Sequence, residues 1–334
     1  MSLSTLLGRM LVGVSVFASC GPAGAAFSRV SVTAFSGELD VVKHLTGSTG
    51  VSLSVGSSSA ASGEGFPDST PVGSYATSAV AAAKGSVGPG YLRLYATALA
   101  KSATSYSQGP ALGQAHASGQ FTDYFLVSAP GCAACSTGSR GYLQFAVVFD
   151  GTNSSDAFVD STGSNPDGDG GSSIALAFWS SKLLVESDGV ASVSLVGSSV
   201  QQIQNGEPSV DFPTGAGIGR HVLGMEFFFG RPFSMQWYSE VSVSAFVEPI
   251  GTEISFSGQA SAVADFSNTF VWDGITGLLD ANGNPVASFT AFSPDGVSYV
   301  GSLAPVPEPG TLSMLLAGLA ALCLRRNVRG RLNL

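Results

Sequence analysis

Residues 165–170 read Asn-Pro-Asp-Gly-Asp-Gly. Oxygen-bearing side chains at the first, third and fifth places with glycine at the sixth are how a calcium loop begins. The twelfth place is Leu176, where such a loop needs a bidentate glutamate. The preferred reading is therefore a polar turn built from residues that tolerate turn conformations. Asn165, Asp167 and Asp169 stand as the candidate calcium ligands, with Asp156 and Asp160 as nearby carboxylates. Cys132 and Cys135 follow Pro130-Gly131 and enclose two alanines. Zinc needs two further ligands, and His44, His116 and His221 are scattered singly. A redox dithiol needs its first cysteine at a helix N-terminus, and no helical pattern follows Cys135. The pair is expected to be a structural disulfide, whose four-residue loop adds about 2 kcal/mol in the chain-entropy treatment.

Trp179, Trp237 and Trp272, with Tyr238, can be assembled into a platform on which sugar rings stack. A sandwich core needs the same large aromatics, and the alternation around Trp237 places it beside valines, which favours the core. Phe227-Phe228-Phe229 likewise reads as a strand buried on both sides. The chain holds no G-x-S-x-G elbow, no H-E-x-x-H, no phosphate-cradling glycine loop and no dinucleotide fingerprint. A Ser-His-Asp triad or a carboxylate pair is recognised by geometry alone, and nothing in the spacing nominates one. The expectation is a protein that is not an enzyme and needs no cofactor.

The elements that must carry these residues read as strands. Between residues 234 and 248, Met235, Trp237, Val241, Val243, Ala245 and Val247 share one face. Gln236, Tyr238, Glu240, Ser242, Ser244 and Glu248 share the other. Similar runs occur at 91–99, 121–127, 142–150, 174–179, 191–196, 221–229, 254–266, 269–279, 286–292 and 297–300, with shorter ones at 29–35 and 51–55. Asn282-Gly283 signals a type I′ hairpin, in which both central residues need positive φ. Residues 47–90, rich in Ser, Gly and Ala, read as a long loop ahead of the main domain. The fold class expected is all-β, an antiparallel β-sandwich of jelly-roll-like form, with no helix in the folded part.

Both termini read as addresses. Arg9 precedes an apolar stretch from Met10 to Ala18, and Ala23-Gly24-Ala25 forms an A-x-A cleavage site, so residues 1–25 are a signal peptide. Phe17-Ala18-Ser19-Cys20 loosely resembles a lipobox and competes with that site. At the other end stand Pro307, Glu308 and Pro309, an uncharged run from Thr311 to Leu324, and four arginines. The prolines fix φ and remove donors, so the motif is extended and open to an enzyme. As a helix the apolar run measures about 21 Å, short of the ~30 Å hydrocarbon core. Arg325, Arg326, Arg329 and Arg331 keep the tail cytoplasmic and place the rest across the membrane.

Pro-Glu-Pro, apolar helix and arginine cluster in that order resemble the PEP-CTERM sorting signal of Gram-negative bacteria. The resemblance implies processing by a membrane-embedded exosortase, which reads Pro307, Glu308 and Pro309, with Arg325 and Arg326 as the retention signal. Residues 264–286 and 121–150 more loosely resemble strands of exported proteins with this tail. The resemblance implies a cell-surface or extracellular protein associated with exopolysaccharide and biofilm. The other function class that fits is a carbohydrate-binding module on the same sandwich, with calcium as a possible ion.

The chain divides as the signal peptide (1–25), an N-terminal region (26–89) that could add the first strands of the sandwich, the sandwich (90–303) and the sorting signal (304–334). Residues 26–310, about 285 residues, hold all 23 acidic residues but only nine basic ones, a net of −14. Such a surface suits solubility outside the cell and argues against nucleic acid or an anionic membrane as a partner. The two remaining cysteines fit an oxidising compartment.

Overall fold

The computed structural model describes residues 27–36, 39–47, 51–65, 73–104, 110–162, 171–187, 190–249 and 255–303. The signal peptide with Cys20, Ala23 and Ala25 lies outside the described residues. So do Asn165, Asp167 and Asp169, and the tail with Pro307, Glu308, Pro309, Arg325 and Arg326.

Fifteen strands form the described part. They are β1 (Phe27–Ser36), β2 (Leu39–Gly47), β3 (Val51–Gly65), β4 (Gly73–Gly88), β5 (Tyr91–Thr104), β6 (Ala111–Ser128), β7 (Arg140–Phe149) and β8 (Thr152–Thr162). There follow β9 (Gly171–Ser187), β10 (Ala191–Gln204), β11 (Glu207–Gly215), β12 (Gly219–Phe228), β13 (Pro232–Pro249), β14 (Ser255–Leu279) and β15 (Thr290–Phe292). The first sheet runs β11-β10-β9-β13-β6-β1-β2, with β15 added to β6. The second runs β12-β7-β14-β5-β4-β3, with β8 on β14. Every pairing is antiparallel. The two sheets face one another across a shared core, as the antiparallel sandwich expectation requires.

Strand β13 shows why the sequence folds this way. Phe233, Met235, Trp237, Val241, Val243, Ala245 and Val247 are buried, while Gln236, Tyr238, Glu240 and Ser242 alternate outward. Ser239 falls on the buried row, where its hydroxyl meets Ser181 at 2.8 Å, and the Trp237 indole donates to Ser181 at 2.9 Å. The buried polar atoms thus satisfy one another.

Several expectations need correction. Much of the Ser/Gly/Ala-rich stretch read as a loop forms β3 and β4, with β4 paired to β5 and β3 to β4. Ala79, Ala81, Ala83 and Val87 are its buried row. Because alanine also alternates with alanine, serine and lysine there, the period-2 contrast in hydropathy is faint. The two runs at 254–266 and 269–279 are one strand, β14, with register shifts between Phe266 and Phe270 and again between Trp272 and Gly277. Of the runs at 286–292 and 297–300, only Thr290–Phe292 is a strand, and Ser298 makes a single bridge to Phe292.

Asn282-Gly283 does not form the type I′ turn. Gly283 has φ +81° but Asn282 is not among the positive-φ residues. The Gly283 N–H donates to the Asp280 carbonyl at 3.0 Å, and the Asp280 N–H donates to the Asn284 carbonyl at 2.9 Å, which makes a longer loop. The tight turn with two positive-φ residues is Asn205-Gly206 (φ 51° and 85°), between β10 and β11.

Candidate functional sites

The last described segment leads up to the tail. After β14 the chain leaves the second sheet, adds β15 to β6 of the first, turns, and comes back to β14. Tyr299 is the pivot of the return. Its N–H donates to Ala291 O at 2.8 Å, its carbonyl accepts the Trp272 indole at 2.9 Å, and its hydroxyl donates to the buried carboxylate of Asp123. The Tyr299 ring stacks on Phe125 at 4.8 Å and meets Trp272 edge-on at 5.6 Å. The chain then runs beside β14, with Val300 O accepting from Ile275 and the Leu303 N–H donating to Trp272 O at 2.9 Å. Pro307 stands four residues beyond Leu303, a reach of about 14 Å for extended chain.

Asp123 is 1% exposed. Burial pushes its carboxyl above the ordinary value, against the lowering effect of the hydrogen bonds from Tyr299 and from the Tyr124 N–H, while Asp295 adds to the rise. Burial and the Asp123 charge together push the Tyr299 phenol far up. The pair is a lock between β6 and the last segment of the folded chain.

A second polar cluster lies on the outward face of the first sheet. Register brings β9, β13 and β6 side by side, with Glu240 opposite Ser180 on one flank and Ser118 on the other. The Ser180 hydroxyl donates to Glu240 Oε1 at 3.0 Å, the Tyr238 hydroxyl to Oε2 at 2.8 Å, and His116 Nε2 lies 3.7 Å from Oε2. Burial alone would raise the Glu240 carboxyl. The neighbouring His116 imidazole and the hydrogen bonds from Tyr238 and Ser180 outweigh that effect and hold it below the usual carboxylate range. The same arrangement raises the Tyr238 phenol, through burial first and then the Glu240 charge. Ser180 donates to the acid and not to the imidazole, so the order of a Ser-His-acid relay is not what these three residues make. His221 is engaged with Gly217 O at 2.8 Å.

The sequence placed Tyr238 and Glu240 together on a wet face. It gave no sign of His116 or Ser180, because strand register, which brings them there, is set by long-range pairing. The three tryptophans are not a sugar platform: Trp179 is 2% exposed, Trp237 and Trp272 0%. All belong to the aromatic core, with Phe145 stacked on Trp272 at 4.8 Å and Phe149 against Trp179 and Trp237. Phe227 and Phe229 are buried as expected, while the Phe228 ring lies under the Arg231 guanidinium at 5.2 Å. Cys132 and Cys135 are disulfide-bonded in the loop between β6 and β7, with Cα atoms 5.2 Å apart. Cys135 packs against the core.

Asp280 is committed to its own loop. Its carboxylate accepts from the N–H groups of Asn282 (2.8 Å) and Asn284 (2.9 Å) and from the Asn284 amide. The backbone hydrogen bond from Asn284 leads the effects that hold this carboxyl low. Among the described residues no group of three or more His, Cys, Asp or Glu side chains is placed to hold a metal. No helix among them is long and apolar enough to cross a membrane.

Residues 305–329 match the family model described as the PEP-CTERM protein-sorting motif. No curated protein matches the chain. Among solved structures, the chain is similar to one in "Structure of infectious bursal disease virus Gx strain" at 8% identity and a TM-score of 0.08, over 74% of this chain and 67% of that one. A likeness that slight carries no argument about the fold.

Proposed function

We propose that this chain, which carries a PEP-CTERM protein-sorting motif at its C-terminus, is an exported, non-enzymatic protein of the cell surface or extracellular matrix of a Gram-negative bacterium. The match over residues 305–329 is the observation that carries this reading. A signal peptide at residues 1–25 starts export, and an exosortase-like membrane enzyme processes the tail at Pro307-Glu308-Pro309. The mature protein then serves in exopolysaccharide or biofilm. The chain crosses between the sheets from β2 to β3, β5 to β6, β6 to β7, β8 to β9 and at each step from β11 to β15, which supports a jelly-roll-like reading of the sandwich. The disulfide suits an oxidising compartment.

Replacing Glu308 by Ala tests the reading. The variant is expected to stay in the inner membrane with its arginine tail; arrival of the variant at the surface or in the medium at the wild-type level would overturn it.

A second reading, a carbohydrate-binding module, is favoured by the broad outward faces of the two sheets, which present tyrosines beside hydrogen-bonding side chains. It no longer rests on tryptophan.

A further inference from the structure

We infer that the outward face of the second sheet binds an acidic polysaccharide, along a track that begins at Lys84, Tyr91, Arg93 and Tyr95 and ends at Lys101. This rests on the carbohydrate-binding reading and names its site and its ligand class.

Strand β5 lies inside the second sheet, between β14 and β4. Its outward row includes Tyr91, Arg93, Tyr95, Thr97, Leu99 and Lys101, because Leu92, Leu94, Ala96, Ala98 and Ala100 fill the core. Lys84 of β4 is directly opposite Tyr95, and its ammonium lies 5.6 Å from the centre of that ring. The Arg93 guanidinium lies 5.6 Å from the centre of the Tyr91 ring. Tyr91 in turn lies across Gly88, where a Cβ would come within 2.5 Å of the ring. Two cations are thus seated on two aromatic rings in adjacent rows of one face.

What singles these cations out is that they have no acid. Arg140 pairs with Glu226 and Arg220 with Asp273. Lys84, Arg93 and Lys101 make no hydrogen bond or ion pair among the described residues, and Arg93 Nε is buried without an acceptor. Asp265, across from Tyr95 on β14, accepts from the Ser267 N–H at 3.1 Å and pairs with neither Lys84 nor Arg93. Among cations with described side chains only Lys182, on the other sheet, shares this condition. In a chain with 23 acidic residues against 14 basic ones, three cations on one face left without a carboxylate among the described residues complement an external anion.

Spacing decides what kind of anion. Lys101 lies six residues beyond Tyr95 on the same strand and the same face, about 20 Å away at ~3.4 Å per residue. A single small anion cannot use both ends of such a track, but an extended polymer can. Double-stranded DNA carries one charge per ~1.7 Å, far denser than three cations over this length can match. A uronate polymer offers well-spaced carboxylates for the cations and ring faces for the tyrosines. Asp156 and Asp160 on β8 flank the face and confine the track to β4 and β5.

Affinity electrophoresis of the purified full-length protein through gels containing polygalacturonate tests this, with dextran and single-stranded DNA gels beside it. The wild type is expected to be retarded by polygalacturonate alone, and less so as salt rises. Lys84→Gln with Arg93→Gln is expected to weaken retardation at least tenfold at unchanged thermal stability. Lys101→Gln is expected to weaken binding of the polymer while leaving binding of a galacturonate disaccharide as it was. Unchanged retardation of the double variant, or equal retardation by DNA, overturns the site. Equal retardation by dextran in wild type and variants would overturn it while keeping the carbohydrate-binding reading. Absence of retardation in every gel would remove both.

Discussion

The sandwich has two halves built on different principles. Toward the disulfide loop the core is aromatic: Phe125, Phe145, Phe149, Phe227, Phe229, Phe233, Trp237, Trp272 and Tyr299 are fully buried and touch ring to ring. Toward the opposite end it is alanine: Ala79, Ala81 and Ala83 of β4, Ala96, Ala98 and Ala100 of β5, Ala115 and Ala117 of β6, Ala260 and Ala262 of β14. There the sheets approach so closely that a Cβ on Gly113 would lie 3.0 Å from the carbonyl oxygens of both Leu99 and Val80. The aromatic half holds the sheets together by filling space; the alanine half holds them by removing it. Each half is therefore fragile to the opposite kind of substitution.

The largest effect is expected from Trp272→Ala. It removes a buried indole and leaves the Tyr299 carbonyl without its donor, and should cost about 3–5 kcal/mol in urea unfolding. A loss under about 1 kcal/mol would show that the aromatic half does not carry the stability assigned to it. Gly113→Val is the complementary test in the alanine half. Overpacking against two backbone carbonyls is expected to cost about 1–3 kcal/mol, and a neutral result would mean the sheets can part there without penalty. Replacing Cys132 and Cys135 by Ser should cost up to about 2 kcal/mol, since only a four-residue loop is released, read as a shift in urea midpoint against the oxidised wild type.

The smallest effect separates two carboxylates by the sign of their pH dependence. Asp123 has a raised folded pKa, so the folded state holds its proton where the unfolded chain has lost it. Its contribution is fullest below the ordinary value of 3.8 and declines as pH rises toward the folded pKa. Glu240 has a lowered folded pKa, so its contribution is present above the ordinary value of 4.5 and is lost as pH falls. Asp123→Asn should flatten the decline, and Glu240→Gln the loss on acidification, in urea midpoints across mildly acidic pH. Identical pH profiles in wild type and both variants would contradict the two environments.

How much of this was legible in the sequence follows the same division. The aromatic half was readable: in β13 large apolar residues alternate with Gln, Tyr, Glu and Ser, and the tryptophans stood where a core needs them. The alanine half was not, since Ala82 outward and Ala81 or Ala83 inward differ in burial and not in hydropathy. Of the runs at 286–292 and 297–300, only Thr290–Phe292 pairs along a ladder; the rest was misread as strand because its apolar residues fill the end of the core without a strand partner. The Glu240 cluster was hidden for another reason: register assembles it from β6, β9 and β13, strands distant in sequence, whereas the cations of β4 and β5 were hidden because β4 was read as loop. The sorting motif, matched over residues 305–329, was legible because residue types in a fixed order along the chain carry it, with no pairing of distant strands needed.

The intact mass of the protein recovered from its host, in membrane and extracellular fractions, tests the central claim most directly. Export and sorting predict a species that begins near Ala26 and ends between Pro307 and Gly310. A surface species that still carries Arg325 through Leu334 would contradict tail processing and leave a conventionally anchored envelope protein in its place.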